Sequence, residues 1–198
     1  MMKSIMRSSV LVLVLCAAVQ GCAYSPQQLT PQPLIPGNTL QAIGHGQAVT
    51  VRFVDARSSE VLGTRGGLYP DSSTVSVSKA DLLPKMQTQA ESAVRLLGFT
   101  PSVAENDSAP KLILTLHDLS YQAPKGSLYV TKTSVGAVLT VEVEHFGSRY
   151  SGRYVSSIEQ DFVETPDETQ NNQWISDALS DVLQRVFTDP AVTKLLAQ

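Results

Sequence analysis

The chain has 198 residues, with 15 Lys and Arg against 18 Asp and Glu, a formal net charge of −3 and only 17% charged residues. That balance lacks the basic surface a nucleic-acid binder needs, while the length and the 42% hydrophobic content suit one domain with a substantial core. Two cysteines are too few for a disulfide-dense framework or a cysteine zinc cluster.

At the N-terminus, Lys3 and Arg7 precede an apolar run that opens at Val10 and ends near Val19. This is signal-peptide anatomy. The uninterrupted apolar stretch is about half of the ~20 residues that a helix needs to cross a bilayer. Val19-Gln20-Gly21-Cys22 resembles the bacterial lipobox, although Gln20 is bulkier and more polar than is usual there. The likeness implies that residues 1–21 are a cleaved lipoprotein signal peptide and that Cys22 carries the lipid, palmitate included. Ala23, with no Asp at that position, is similar to the signal for the outer membrane, on its periplasmic side. Several acyl chains, each buried CH₂ worth about 0.8 kcal/mol, hold a protein far more firmly than one chain does. Cleavage removes Lys3, Arg7 and Cys16, so the net charge becomes −5 and no free thiol remains.

Residues 22–46 follow as the lipidated cysteine and a Pro/Gln-rich tether with no apolar period, and residues 47–198 as a single domain. Extended at ~3 Å per residue, such a tether would lift the domain about 60–70 Å off the bilayer. The alternative is an ordered arm in which Leu29, Leu34, Ile35, Leu40 and Ile43 pack along the domain.

The alternating, β-branched run at 49–55 predicts the first strand, and residues 61–65 predict its hairpin partner across a turn at Ala56 to Ser59. Asp55, Arg57 and Arg65 form a charged cluster there, read as an exposed salt-bridged turn worth under ~1 kcal/mol, with an anion or glycan contact as the alternative. A short strand at 75–77 precedes a helix whose apolar stripe runs from Leu82 and Leu83 through Met86, Ala90, Ala93 and Val94 to Leu97, with Gly98 ending it. Pro84 is best accommodated in a first turn, which favours Asp81 over Ser78 as N-cap. Three long strands follow at 111–122, 128–146 and 150–163, with turns near Pro124 to Gly126 and at Gly147-Ser148. If Phe146 and Arg149 flank the second turn, Glu142 lies opposite Arg153, Val141 opposite Tyr154 and Ala137 opposite Ile158. Thr165 as N-cap with Pro166 at N1 opens a second helix to about Phe187, and Asp189-Pro190 opens a short terminal helix to Leu196.

This order predicts an α+β fold: a two-layer sandwich with a mainly antiparallel sheet, hairpin plus three-stranded meander, and two amphipathic helices on one face. The lipobox, the Pro/Gln-rich start, Val-Arg-Phe-Val-Asp-Ala-Arg at 51–57, Gly-Thr-Arg at 63–65 and the helix opening Ser-Lys-Ala-Asp-Leu together resemble the YajG family of bacterial lipoproteins. That resemblance implies a periplasm-facing lipoprotein of uncharacterised function, with no catalytic residues to carry over.

No nucleophile with a base, phosphate loop or carboxylate pair emerges, and His45, His117 and His145 lack metal-ligand spacing. The sequence therefore predicts no enzyme, no cofactor and no metal, but a binder of another envelope component, protein or glycan, through the open sheet face or edge. Tyr121, Tyr129, Tyr150 and Tyr154 form a candidate binding surface, with cross-strand packing as the competing reading. The second functional reading is a carrier of a small amphiphile in a helix–sheet pocket lined by Met86, Trp174 and Phe187.

Overall fold

The computed structural model describes residues 25–66, 70–104, 108–123, 131–162 and 166–198. Cys22, Tyr129, Thr165 and the turn at 124–126 lie outside the described residues. Eight strands form one mixed sheet: β1 (Gln27–Leu29), β2 (Ala48–Asp55), β3 (Val61–Thr64), β4 (Thr74–Val77), β5 (Thr100–Ser102), β6 (Lys111–Gln122), β7 (Thr131–His145) and β8 (Ser148–Phe162). Three helices accompany them among the described residues: α1 (Lys79–Leu96), α2 (Glu168–Thr188) and α3 (Pro190–Leu196).

The sheet is assembled around β6. Its one edge pairs antiparallel with β7, which pairs antiparallel with β8. Its other edge is shared, because β2 runs parallel to the first half of β6 and β3 runs parallel to its end, meeting it at Gly63 and Tyr121. The expected β2–β3 hairpin is therefore replaced by two strands in line along one neighbour. Residues 56–60 contain no Gly or Asn for the left-handed positions of a tight hairpin turn, so the chain bends there and continues in the same direction. β3 instead pairs antiparallel with β4, and β4 parallel with β1. Gly63 is required where β3 meets β6, since a Cβ there would stand 1.9 Å from the Tyr121 carbonyl oxygen.

The Asp55 and Arg57 pair lies at that bend. Their side chains are 1% and 2% exposed, with Arg57 Nε to Asp55 Oδ1 at 2.9 Å and Arg57 Nη2 to Asp55 Oδ2 at 2.7 Å. Arg57 Nη2 also reaches the Val77 carbonyl at 3.3 Å. The pair is a buried bidentate clamp and not the exposed turn its spacing suggested.

The β7–β8 turn is the two-residue step Phe146-Gly147, with φ of 48° and 78°. Opposed residues accordingly run from His145↔Ser148 to Thr131↔Phe162, placing Ser151 across from Glu142, Gly152 from Val141 and Ser156 from Ala137. The expected register is off by two residues. A slip of two preserves which side chains share a face, so Val135, Ala137, Leu139, Val141 and Val143 still point into the core, each 0% exposed. A bulge at His117 shifts the parity of β6, so that Leu112, Leu114 and Leu116 are buried before it and Leu119 and Tyr121 after it.

Helix α1 begins at Lys79 with Ser78 as N-cap, three residues before the expected start, and contains Pro84. The Gln87 side chain explains part of its placement: its Oε1 accepts from Phe53 N at 2.7 Å and its Nε2 donates to Val51 O at 3.1 Å, standing in for a strand beside β2 beyond the short β5. Helix α2 is capped by Asp167, whose side chain accepts from Gln170 N while Gln170 returns the bond, so the N-cap lies two residues after Thr165. Asp189 caps α3 through Ala191 N at 2.7 Å.

Residues 25–47 follow the ordered-arm alternative and not the tether, with Leu40 and Ile43 packed on the core and only Leu34, 64% exposed, turned outward. Leu29 and Ile35 are 0% and 4% exposed, and β1 is a sheet strand. From there the chain lies along α2 as a strap. Thr30 N, Gln32 N and Leu34 N donate to Asn172 Oδ1, Ser176 Oγ and Ser180 Oγ at 2.7, 2.8 and 2.9 Å. Every second strap residue thus meets every fourth helix residue, because two extended residues cover about the 6 Å that four helical ones do. Pro31 and Pro33, which have no amide to donate, fall at the alternate positions. From α1, Lys85 Nζ reaches Pro31 O at 3.1 Å, so the strap runs between the two long helices. The prolines that suggested a tether fit this extended strap equally well.

Candidate functional site

The four tyrosines do not make a common surface. Tyr121 is 2% exposed, and its hydroxyl lies against Thr133 and Asn171 inside the end of the sheet where residue 25 enters. Burial pushes its pKa up to about 12, with Arg65 opposing the shift. Tyr129 lies outside the described residues. Tyr150 and Tyr154 fold over Gly152, where a Cβ would meet the Tyr150 hydroxyl at 2.7 Å, and their hydroxyls approach to 3.2 Å. Both donate to Asp189 Oδ2, at 3.1 and 2.5 Å. Burial and the bond to Asp189 raise the Tyr154 pKa. Burial works against the Asp189 charge, yet the hydrogen bonds from Tyr154, Ala191 N and Tyr150 hold that carboxyl below its ordinary range. This pair staples β8 to the α2–α3 corner.

At the end where the chain enters, polar groups are buried and joined. Arg65, 7% exposed, donates through Nη2 to the Ser25 carbonyl at 2.7 Å. The Gln27 amide oxygen faces Arg65 Nη1 at 3.1 Å and Glu168 N at 3.2 Å, and the Gln27 and Asn171 amides meet at 2.7 Å. Burial lowers the Arg65 pKa, opposed by Tyr121, but a guanidinium stays charged in any protein. The bonds among Arg65, Ser25, Gln27, Glu168 and Asn171 therefore fasten the entering strand to the end of β3 and the start of α2.

The opposite end of the sheet has the reverse character. Phe146 at the β7–β8 tip is 77% exposed and takes a left-handed backbone conformation, which costs a non-glycine residue about 1 kcal/mol. Its ring stacks on His145 with centroids 4.0 Å apart. His145 is itself buried, and its Nδ1 meets the Leu195 carbonyl at 3.2 Å, where a carbonyl partner makes Nδ1 the protonated nitrogen. Two surface cavities flank the ring. One, of about 350 Å³, is lined by Lys111, Glu144, Gly147, Ser148 and Arg149; the other, of about 290 Å³, by Gln47, Ala48, Ser108, Pro110, Leu196 and Gln198. Ala109, His145 and Phe146 border both. By sequence Phe146 is only a turn flank; an apolar ring in the first position of a two-residue hairpin turn, where Asn or Asp is favoured, is the signal that singles it out.

His45 and His117 are exposed, His117 Nε2 lying 2.8 Å from Thr140 Oγ1. Among the described residues no three His, Cys, Asp or Glu side chains come together in a way that could hold a metal ion, and no described helix is long and apolar enough to cross a membrane. Met86 and Phe187 are packed to 0% and 1% exposure and Trp174 to 9%. None of the three lines the two tip cavities or a third, beside the strap, bordered by Gln32, Leu34 and Asp181.

No curated protein matches the chain. Among solved structures, a Xanthomonas campestris protein of the family DUF330 shares 10% identity, covering 85% of this chain and 95% of its own at a TM-score of 0.48. A minor lipoprotein from Acinetobacter baumannii shares 12% identity, covering 75% and 91% at a TM-score of 0.44. The profile of a family described as uncharacterized lipoprotein, Lipoprotein_16, matches residues 33–197, from the strap to the last helix. The chain belongs to this YajG family of lipoproteins, which places it in the cell envelope.

Proposed function

We propose that the protein is a non-enzymatic lipoprotein, anchored through a lipid on Cys22 to the outer membrane on its periplasmic side, whose Phe146 tip docks onto another envelope component. The helices and strap cover one face of the sheet in a two-layer arrangement, and the tip is the place where that cover ends. The observation that carries the docking reading is Phe146 itself: 77% exposed, backbone left-handed, ring stacked on a buried histidine between two cavities. A sequence selected for stability alone would place Asn or Asp there. Apolar rings in such settings are the usual anchors of protein interfaces, which favours a protein over a glycan as partner.

Photo-crosslinkers at Ser148 and Gln47, one in each cavity, test this in cells. The expected result is the same adduct from both positions, lost when Phe146→Asn is added. Adducts that survive Phe146→Asn, or none at either position, would refute docking at the tip. Palmitate labelling that persists in Cys22→Ser would refute the anchor. Among the described residues, the three cavities at the tip and beside the strap are not lined by Met86, Trp174 or Phe187, so they lend the amphiphile-carrier reading no support.

A further inference from the structure

We infer that the domain is seated directly on the bilayer, with the end that receives Ser25 held against the phospholipid headgroups and the Phe146 tip free at the far end. This rests on the lipid-anchor reading of Cys22. What distinguishes it from a domain on a long flexible lead is how little chain separates that cysteine from the fold. The Ser25 carbonyl is gripped by Arg65 at 2.7 Å, and Gln27 already pairs with Val75 in the sheet. Three residue steps from Cys22 to Ser25 span at most about 11 Å, even fully extended.

No slack is stored after that point. Residues 25–47 are committed to crossing the molecule, first as β1, then as the strap bonded to Asn172, Ser176 and Ser180 on α2, until they deliver the chain to β2. The direction of each element fixes which end is which. Ser25, Gln27 and Arg65 gather with Asn171 at the start of α2, while the end of α2 meets Tyr150 and Tyr154 through Asp189. β7 runs from the first of these ends to the second, and its 15 residues separate Thr131 from the tip by about 45–50 Å.

Charge decides the character of the contact. Exposed side chains near the seated end include Glu159, Asp161, Asp167 and Glu168, and Lys132 there is paired to Glu159 at 2.6 Å. The described residues of this end, acidic in balance, offer no attraction for anionic lipid, so the acyl chains and the short link keep it in place. The free domain is expected not to bind vesicles. A partner for the tip must then lie within roughly 60 Å of the membrane, the link and the sheet length together.

Energy transfer tests the seating. Once the signal peptide is removed and Cys22 is acylated, a cysteine introduced as Gln160→Cys at the seated end or Ser148→Cys at the tip is the one free thiol for a donor dye. The purified lipoprotein goes into vesicles of phosphatidylethanolamine and phosphatidylglycerol with acceptor on the headgroups. Transfer from position 160 should exceed that from position 148 several-fold, and a 20-residue Gly/Ser insertion after Ala23 should lower it sharply. Equal transfer at both positions, or transfer at 160 unchanged by the insertion, would overturn the seating. A mass spectrum without acyl chains on Cys22 would instead overturn the anchor.

Discussion

The two ends of the long sheet handle their side chains in opposite ways. Where the chain enters, polar groups that would ordinarily face water are buried: Arg65, Gln27 and Asn171 are at most 7% exposed and are joined by hydrogen bonds across the entering strand, the end of β3 and the start of α2. At the far end, an apolar ring that would ordinarily be buried stands 77% exposed on a strained turn. Burying polar groups is tolerable only when they are paired, and then each member depends on the others. Exposing a ring gains nothing for folding. The contrast separates a part built to stay fastened from a part available to a partner.

The largest expected effect lies in the fastened half. Asp55→Ala leaves Arg57 buried without its carboxylate, and loss of one member of a buried pair costs about 3–5 kcal/mol. Calorimetry should show a fall in Tm of roughly 10 °C or more; a fall under ~3 °C would mean the clamp is not the buried pair described. Asn171→Leu comes next. It removes the partner of Gln27 and should cost about 2–3 kcal/mol, with faster amide hydrogen exchange confined first to β1 and the strap. Unchanged exchange there would break the link between this network and the entering chain.

The Tyr–Asp189 staple predicts a pH dependence. Tyr154 and Tyr121 have pKa values raised by folding above the ordinary value of 10.0, so their stabilisation is complete below about pH 10 and is lost as the pH rises beyond it. Asp189 has a lowered pKa, and its contribution, present above the unfolded value of 3.8, is lost as the pH falls through the folded one. In Asp189→Ala the α3 cap and both tyrosine bonds go, for about 1–2 kcal/mol at neutral pH. Its Tm should then differ from that of the parent less at pH 3 than at pH 7. An equal difference at the two pH values would sink the assignment.

The smallest effect has the opposite sign. Phe146→Asn relieves the left-handed strain and should stabilise the domain by about 1 kcal/mol, raising Tm by some 2–4 °C while abolishing the crosslinked adducts. A variant that is less stable than the parent would show that Phe146 serves the fold and would erase the contrast between the ends.

Most secondary structure was legible because periodicity is local: the stripe from Leu82 to Leu97, the alternation along β7 and the Asp189-Pro190 helix start require no knowledge of neighbours. The β7–β8 register erred by two residues because Phe146 occupies a turn position that local preference assigns to Asn or Asp. β2 and β3 were misread as a hairpin because strand pairing is decided by which edges of β6 are open, and a strand carries no mark of its partner. Of the candidate site, Tyr121 and the Tyr150–Tyr154 pair look alike in one dimension, yet in three Tyr121 is buried within the sheet end and the pair is half-buried over the α2–α3 corner.

By itself the sequence determined the signal-peptide pattern ending at Cys22, the mixed helix and strand content, and the family, since each depends on residue types in order along the chain. Only the tertiary structure decided that residues 25–47 are a strap and not a lead. Extended, proline-bearing chain looks the same whether it is solvated or bonded, and the difference rests on Asn172, Ser176 and Ser180, more than 140 residues away, being spaced to receive it.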